Sequence, residues 1–184
     1  MNDNDYVVLV NNQNKVLGTA PKLATHNTNT PLHRGFSVFL FNLKGELLLQ
    51  QRSKTKKTFP LIWSNSYCGH PMLNESNVQA AKRRMFYEIG IDDVEIFEVI
   101  SDYKYKVIMN SIYENEICPV LVCFTDKKPE INEDEVENIR WIKWEDFLKE
   151  IDDKNKTFSL WSKEEARLLE KNEKFQKLYK KLTE

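Results

Sequence analysis

The sequence predicts the α/β (α+β) class: a mixed β-sheet sandwiched by helices. Three observations lead there. Short strand-like runs fill both halves of the chain. One amphipathic helical segment lies between them, and further helical segments close the chain. Strands and helices in that order pack as helices against a mixed sheet. The 184 residues suffice for one core, and 41% hydrophobic residues place the chain among globular proteins. No repeat, low-complexity tract or linker divides it, so residues 1–184 are expected to form a single domain.

Taken in order, residues 6–10 (YVVLV) read as a strand, 11–15 as a polar turn and 16–19 as a second short strand. Residues 20–33 form a loop rich in Thr, Asn and Pro. Residues 34–42 read as a strand buried on both faces, with Lys44-Gly45 turning the chain into the hairpin partner ELLLQQR. A basic loop follows at 53–58, and 61–71 (LIWSNSYCGHP) read as one strand ending in a sharp turn. The clearest helix covers 76–90. Ser76 and Gln79 have capping-box spacing, Val78, Ala81, Met85 and Ile89 form an apolar stripe, and Gly90 ends it. Residues 94–109 alternate as one or two strands. Residues 113–124 read as one strand, with Pro119 marking an edge or bulge. The acidic run 130–137 is expected in solvent, 138–144 as a strand and 144–151 as a short helix. A charged terminal helix is expected over 162–182, touching the core through Ala166, Leu169 and Leu178.

Composition narrows the function. Lys plus Arg number 27 and Asp plus Glu 28, for a formal net charge of −1. Nucleic-acid and membrane-surface binders carry a basic excess, so neither partner is expected and an anion must be held by local cations. Cys68, Cys118 and Cys123 form no C-x-x-C pair, which argues against a disulfide scaffold and for a reducing compartment. Cys118 and Cys123, five apart, are expected to pack on opposite sides of a strand. The segment MNDNDYVVLV has neither the basic stretch of a signal peptide nor the length of a membrane span. A cytoplasmic monomer is the expectation.

The chemistry-bearing residues are few. The three histidines are His26, His33 and His70. Glu114 and Glu116, two apart in a strand, share one face, as do Cys68 and His70 if that stretch is extended. Three imidazoles and two carboxylates suit a divalent first-row metal such as Zn²⁺ or Mn²⁺. From Gly69 onward the chain resembles the Nudix box, G-x5-E-x7-R-E-U-x-E-E-x-G-U, a loop–helix–loop motif here spanning 69–91. Gly69, Glu75, Arg83, Met85, Glu88, Gly90 and Ile91 match it. Arg84 and Tyr87 stand where the motif has glutamates. Nudix hydrolases use those glutamates to hold the cations that activate water. Losing two, one of them to a cation, argues against diphosphate hydrolysis while keeping a scaffold that binds diphosphate.

The segments SNSYCGHP (64–71), RRMFYEIG (83–90), YENEICPV (113–120), FSLW (158–161) and the loop from Lys22 through His33 resemble the type I isopentenyl-diphosphate isomerases. The likeness runs over roughly residues 6 to 165. It implies a Nudix-type fold. It also implies interconversion of isopentenyl and dimethylallyl diphosphate by protonation and deprotonation, a 1,3-allylic shift in isoprenoid biosynthesis. The resemblance places the proton-transfer pair at Cys68 and Glu116, with Tyr105 as an active-site partner. It places one divalent metal (Mn²⁺, Zn²⁺ or Mg²⁺) at His26, His33, His70, Glu114 and Glu116. A Mg²⁺ bound with the substrate diphosphate falls on Glu88. The cationic contacts fall on Lys22, Arg52, Lys56 and Arg84, and an indole beside the substrate on Trp161. Lys54, Lys57 and Arg83 are alternative cations, and Glu75 has a structural reading.

The reaction itself asks for such a set. An unactivated alkene is a poor base, and the proton gained and the proton lost sit on different carbons. Two groups on opposite faces are therefore required. The expected assignment has Glu116 deliver the proton and Cys68 remove the other as thiolate; the sequence does not exclude the reverse. A Nudix diphosphohydrolase and a non-catalytic binding module are the competing readings.

Overall fold

The computed structural model describes residues 6–109 and 111–183. Its frame is two sheets. The smaller has the order β2-β1-β3-β10-β9, built from β1 (Tyr6–Val10), β2 (Val16–Pro21), β3 (His33–Arg34), β9 (Lys104–Met109) and β10 (Ile112–Ile117). The larger has the order β12-β5-β4-β11-β8, from β4 (Phe36–Phe41), β5 (Glu46–Arg52), β8 (Ile96–Ile100), β11 (Val120–Phe124) and β12 (Val136–Lys143). Two short strands join it, β6 (Trp63–Ser64) on β5 and β7 (Tyr67–Gly69) on β4. Strand β4 runs antiparallel to β5 and β7 but parallel to β11, so the sheet is mixed, as the sequence predicts.

Every residue of β4 is buried, because helices cover both faces of its sheet. Phe39, Phe41, Leu47, Leu49, Val120 and Val122 face one layer, made by α3 (Trp144–Glu150), α4 (Leu160–Glu170) and α5 (Glu173–Thr183). The alternate residues Val38, Leu40, Leu48, Leu121 and Cys123 face α2 (Asn77–Ile89) through Ala81, Met85 and Ile89. Each fully buried Phe or Leu contributes about 1.5–3 kcal/mol, so this sandwich dominates stability. Cys118 and Cys123 lie in opposite layers, as expected.

Helix α2 forms as its sequence predicts: Ser76 and Gln79 make both bonds of the capping box, and Gly90 takes a left-handed turn at φ 67°. A side chain at position 90 would meet the Glu130 backbone at 3.2 Å. Gly90→Ala should therefore lower unfolding free energy by about 1–2 kcal/mol in chemical denaturation, from the left-handed cost alone.

Four expectations are corrected. The loop 20–33 contains the single turn α1 (Lys22–Thr25) and ends in β3. The stretch 61–71 is two strands rather than one, because Asn65 and Ser66 turn inward between them. The Ser66 hydroxyl donates to the Leu48 carbonyl and accepts from the Leu40 N–H, both at 2.7 Å. Residues 113–124 are also two strands, and they lie in different sheets. Pro119 has no N–H to continue a ladder and marks the crossing from one sheet to the other. The terminal helix 162–182 is α4 and α5, broken at Asn172, whose side chain accepts from the Phe175 N–H at 2.9 Å and caps the second helix. The break brings Phe175 onto Phe41 and Trp144, with ring centroids 5.5 and 5.4 Å away. Among the described residues no helix is long and apolar enough to cross a membrane.

Candidate active site

Where the two sheets meet, a cleft opens. The small sheet supplies Tyr105 and the Glu114/Glu116 pair. The large sheet supplies Arg52 and Cys68, and α2 supplies Arg84 and Glu88. Lys22, His26, Lys56, His70 and Trp161 complete the wall. His33 lies just behind it, fully buried. The structure thus gathers around one space the residues that the resemblance assigns to the site, with Lys57 of the alternative cations, while Lys54 and Arg83 lie outside its lining.

Strand pairing explains the gathering. Glu116 stands opposite His33 on β3 and opposite Tyr105 on β9. Glu114, two residues back, shares its face, and both carboxylates are buried. Gly35 makes room for this: a Cβ there would collide with the Glu116 carboxylate. The three imidazole centroids lie 5.0–5.6 Å apart.

The donor geometry calls for a cation. Nδ1–H of His26 donates to the Lys22 carbonyl at 2.8 Å, and Nδ1–H of His33 to the Pro31 carbonyl at 2.9 Å. Those bonds turn the Nε2 lone pairs inward. There they meet acceptors: His26 Nε2 lies 3.1 Å from Glu114, and His33 and His70 Nε2 lie 3.3 and 3.0 Å from Glu116 Oε1. Lone pair against carboxylate at such distances is repulsive unless a proton or metal ion lies between. His33 Nε2 and His70 Nδ1 are buried with no hydrogen-bond partner. One ligand atom from each of His26, His33, His70 and Glu116 falls within 4.8 Å of the others. The cluster fits a metal ion, with Glu114 beside it through His26.

Protonation follows from burial and charge. Burial pulls the His70 imidazolium down to about 3, against the pull of Glu116. For His26 burial acts downward, but the Glu114 bond and charge outweigh it and the net shift is upward. Glu116 is opposed by burial yet shifted well below the carboxylate range by charge and hydrogen bonding from His70 and His33, a shift that requires positive charge on the imidazole side, a proton or the ion the cluster fits. Burial, helped by the charge of Glu165, pushes the Cys68 thiol up to about 12. The two shifts favour a protonated thiol at Cys68 and an ionised carboxylate at Glu116.

Cys68 is held by two polar side chains. Its thiol donates to Asn65 Oδ1 at 3.3 Å and lies 3.4 Å from the Ser37 hydroxyl. Asn65 Oδ1 also accepts from Trp161 Nε1 at 3.1 Å, which fixes the indole. Tyr105 lies against that indole, centroids 5.7 Å apart. Sulfur, indole and phenol make the apolar side of the cleft.

The cleft is also lined with cations. Arg52 is tied to the Thr58 and Phe59 carbonyls at 2.9 and 3.1 Å and lies 5.9 Å from the Trp161 ring. Arg84 pairs with Glu88 on its own helix, and Glu88 accepts from Gln50 at 3.0 Å. Burial, with Arg52, Arg84 and Lys22 nearby, pulls the Lys56 ammonium down to about 7 against the charge of Glu88. The expectation of a solvated acidic run 130–137 holds for Glu130, Glu133 and Asp134, which are exposed, and fails at Glu135, which is 2% exposed and pairs with both Lys56 and Arg84. Glu75 is structural as read, paired with Arg83 and accepting from the Met72 N–H.

Four residues of the site have no role in the sequence reading: Gly35, Ser37, Asn65 and Glu135. Asn65 lies inside the quoted SNSYCGHP segment and was within reach. The others act across long sequence separations that no local pattern records.

Comparison with known proteins places this geometry. The NUDIX domain family matches residues 31–162. The chain is 42% identical over 158 residues to curated proteins named isopentenyl-diphosphate Delta-isomerase from Escherichia coli O6:H1 and Shigella dysenteriae serotype 1. Each alignment covers 85% of this chain and 87% of the relative. Among solved structures, DR0079 from Deinococcus radiodurans superposes with a TM-score of 0.72 at 20% identity, covering 89% of this chain and 98% of that one. A MutT protein from Methanosarcina mazei superposes at 0.63 and 18% identity, covering 77% and 94%. At those identities the structural matches speak for the fold alone.

Proposed function

Because the chain belongs to the isopentenyl-diphosphate Delta-isomerase family on the NUDIX fold, we propose that Cys68 and Glu116 are the groups that move the proton. The reaction is the interconversion of isopentenyl and dimethylallyl diphosphate, a step of isoprenoid biosynthesis. The observation that carries the residue assignment is the placement of one thiol and one carboxylate on the walls of a single cleft that is also lined with cations.

The two groups share one transferable proton. One donates to the terminal carbon of the alkene; the other removes a proton from C2. The resulting tertiary cation is held beside the Trp161 indole and the Tyr105 ring, where a cation–π contact contributes about 0.5–2 kcal/mol. Burial, with the charges of Glu116 and Glu114, raises the Tyr105 phenol well above its ordinary range, so it stays a hydrogen-bond donor. The buried apolar side keeps water from trapping the cation.

His26, His33, His70, Glu114 and Glu116 would hold a divalent ion, Mn²⁺, Zn²⁺ or Mg²⁺, and Glu88 a Mg²⁺ accompanying the diphosphate. The first ion supplies a fixed positive charge that orients Glu116 and sets its acidity. Lys22, Arg52, Lys56 and Arg84 grip the diphosphate, which fixes the reacting carbons relative to sulfur and carboxylate.

NMR of isopentenyl diphosphate incubated with the protein, Mg²⁺ and Mn²⁺ in D₂O tests this reading. Dimethylallyl diphosphate carrying solvent deuterium, with no phosphate released, is expected. Inorganic phosphate instead would point to hydrolysis. The position of the label in slow variants of Cys68 and Glu116 separates the two orders of proton transfer.

The ion site has its own signature. Its ligands must be free of protons, and Glu114 raises the affinity of His26 for one. Proton binding therefore competes increasingly as pH falls through the His26 range. Dialysis at about pH 8 should retain the ion and dialysis at about pH 5 should strip it, read by elemental analysis. Equal retention at both would count against imidazole ligation.

A further inference from the structure

We propose that Glu135 makes this cleft select the Mg²⁺-bound form of a diphosphate over the bare anion, by neutralising part of the cationic wall. The inference rests on the reading of the cleft as a diphosphate site. It starts from a carboxylate that the reaction does not use, carried on the loop before β12 and driven into the cationic cluster. Glu135 Oε2 contacts Lys56 Nζ and lies 2.9 Å from Arg84 Nη2. Both cations are about as buried as their partner, with side chains 9% and 10% exposed. Both are largely shielded from water, so the charge of Glu135 is screened less than at an exposed pair.

The arrangement has a consequence for ligand choice. A cradle built only to capture phosphate would leave Lys56 and Arg84 uncompensated. Here two carboxylates, Glu88 and Glu135, converge on the one guanidinium of Arg84. They lower the local positive charge and place negative charge where a bare diphosphate would be repelled. A diphosphate that arrives with Mg²⁺ brings two positive charges of its own and meets those carboxylates as attractive neighbours. Glu88 faces the cleft, whereas Glu135 reaches it through Lys56 and Arg84. Glu135 is thus a positioning residue, and its effect is electrostatic.

The probe is inorganic pyrophosphate, titrated calorimetrically into the metal-loaded protein with and without excess Mg²⁺ at constant ionic strength. The readout is the ratio of the two dissociation constants. Wild type should bind tighter with Mg²⁺. In Glu135→Gln, which keeps shape and backbone, bare pyrophosphate should tighten and the ratio should fall by about tenfold or more. Glu137→Gln makes the same charge change at a half-buried site paired with Lys54 and should leave the ratio as in wild type. If Glu135→Gln does not fold, Lys56→Gln should steepen the Mg²⁺ requirement, and Lys56→Gln with Glu135→Gln should return it to the wild-type ratio. A ratio unmoved by Glu135→Gln, or identical in Lys56→Gln and the double variant, overturns the inference while leaving the isomerase reading intact. A wild type that binds pyrophosphate under neither condition removes the diphosphate reading and this inference with it.

Discussion

Cys68→Ala should lower turnover of isopentenyl diphosphate by about 10²–10⁴-fold, the range for loss of a proton-transfer group. The loss should fall on kcat, with KM near its wild-type value. Arg52, Lys56 and Arg84 are held by the Thr58 and Phe59 carbonyls, Glu88 and Glu135, and not by hydrogen bonds to the thiol. An interaction made only while the proton moves lowers kcat and kcat/KM together. The fold should tolerate the change, since Cys68 is only partly buried and its polar neighbours Ser37 and Asn65 keep other partners. A Cys68→Ala protein that turned over within a few-fold of wild type would remove sulfur from the mechanism. Cys68→Ser adds a check. A hydroxyl restores a donor to Asn65 but is a far poorer proton carrier as an anion, so it should recover geometry without recovering rate.

How far the sequence reaches is clearest at the ends of the range of contact. Helix α2 was legible to its caps, because Ser76, Gln79 and Gly90 act within a few residues of where they stand. The Glu114/Glu116 pair was legible because strand alternation is local. Residues 113–124 were not, since whether a strand continues or changes sheet depends on partners: β3 and β9 before Pro119, β4 and β8 after it. The same holds at Asn172, where the break in the terminal helix is set by Phe175 finding Phe41 and Trp144. Glu135 was illegible for another reason. Within a run of acidic residues nothing marks the one whose loop is anchored by Ser53 donating its N–H to the Glu135 carbonyl at 3.1 Å. The cations that drew it inward, Lys56 and Arg84, lie 79 and 51 residues away.

Glu116→Gln should have the larger effect, because two functions end in one carboxylate. Oε1 lies 3.3 Å from His33 Nε2 and 3.0 Å from His70 Nε2, and the residue stands opposite Tyr105 across the strand pair. The amide keeps the volume beside Gly35, so the site should stay folded. It brings no negative charge to an ion and cannot carry the proton. Turnover should fall by about 10⁴-fold or more, beyond the usual range for one acid or base, and the purified protein should hold less metal. Glu114→Gln separates the two losses. Glu114 reaches the cluster through His26 at 3.1 Å and is absent from the tight group of four ligand atoms. Its amide should weaken ion binding without touching the proton path. Raising Mn²⁺ should then restore Glu114→Gln toward wild type while Glu116→Gln stays inactive at every concentration. If excess Mn²⁺ brought Glu116→Gln back to within about tenfold of wild type, the carboxylate would be a ligand only. The proton would then have to travel through Tyr105 or a bound water.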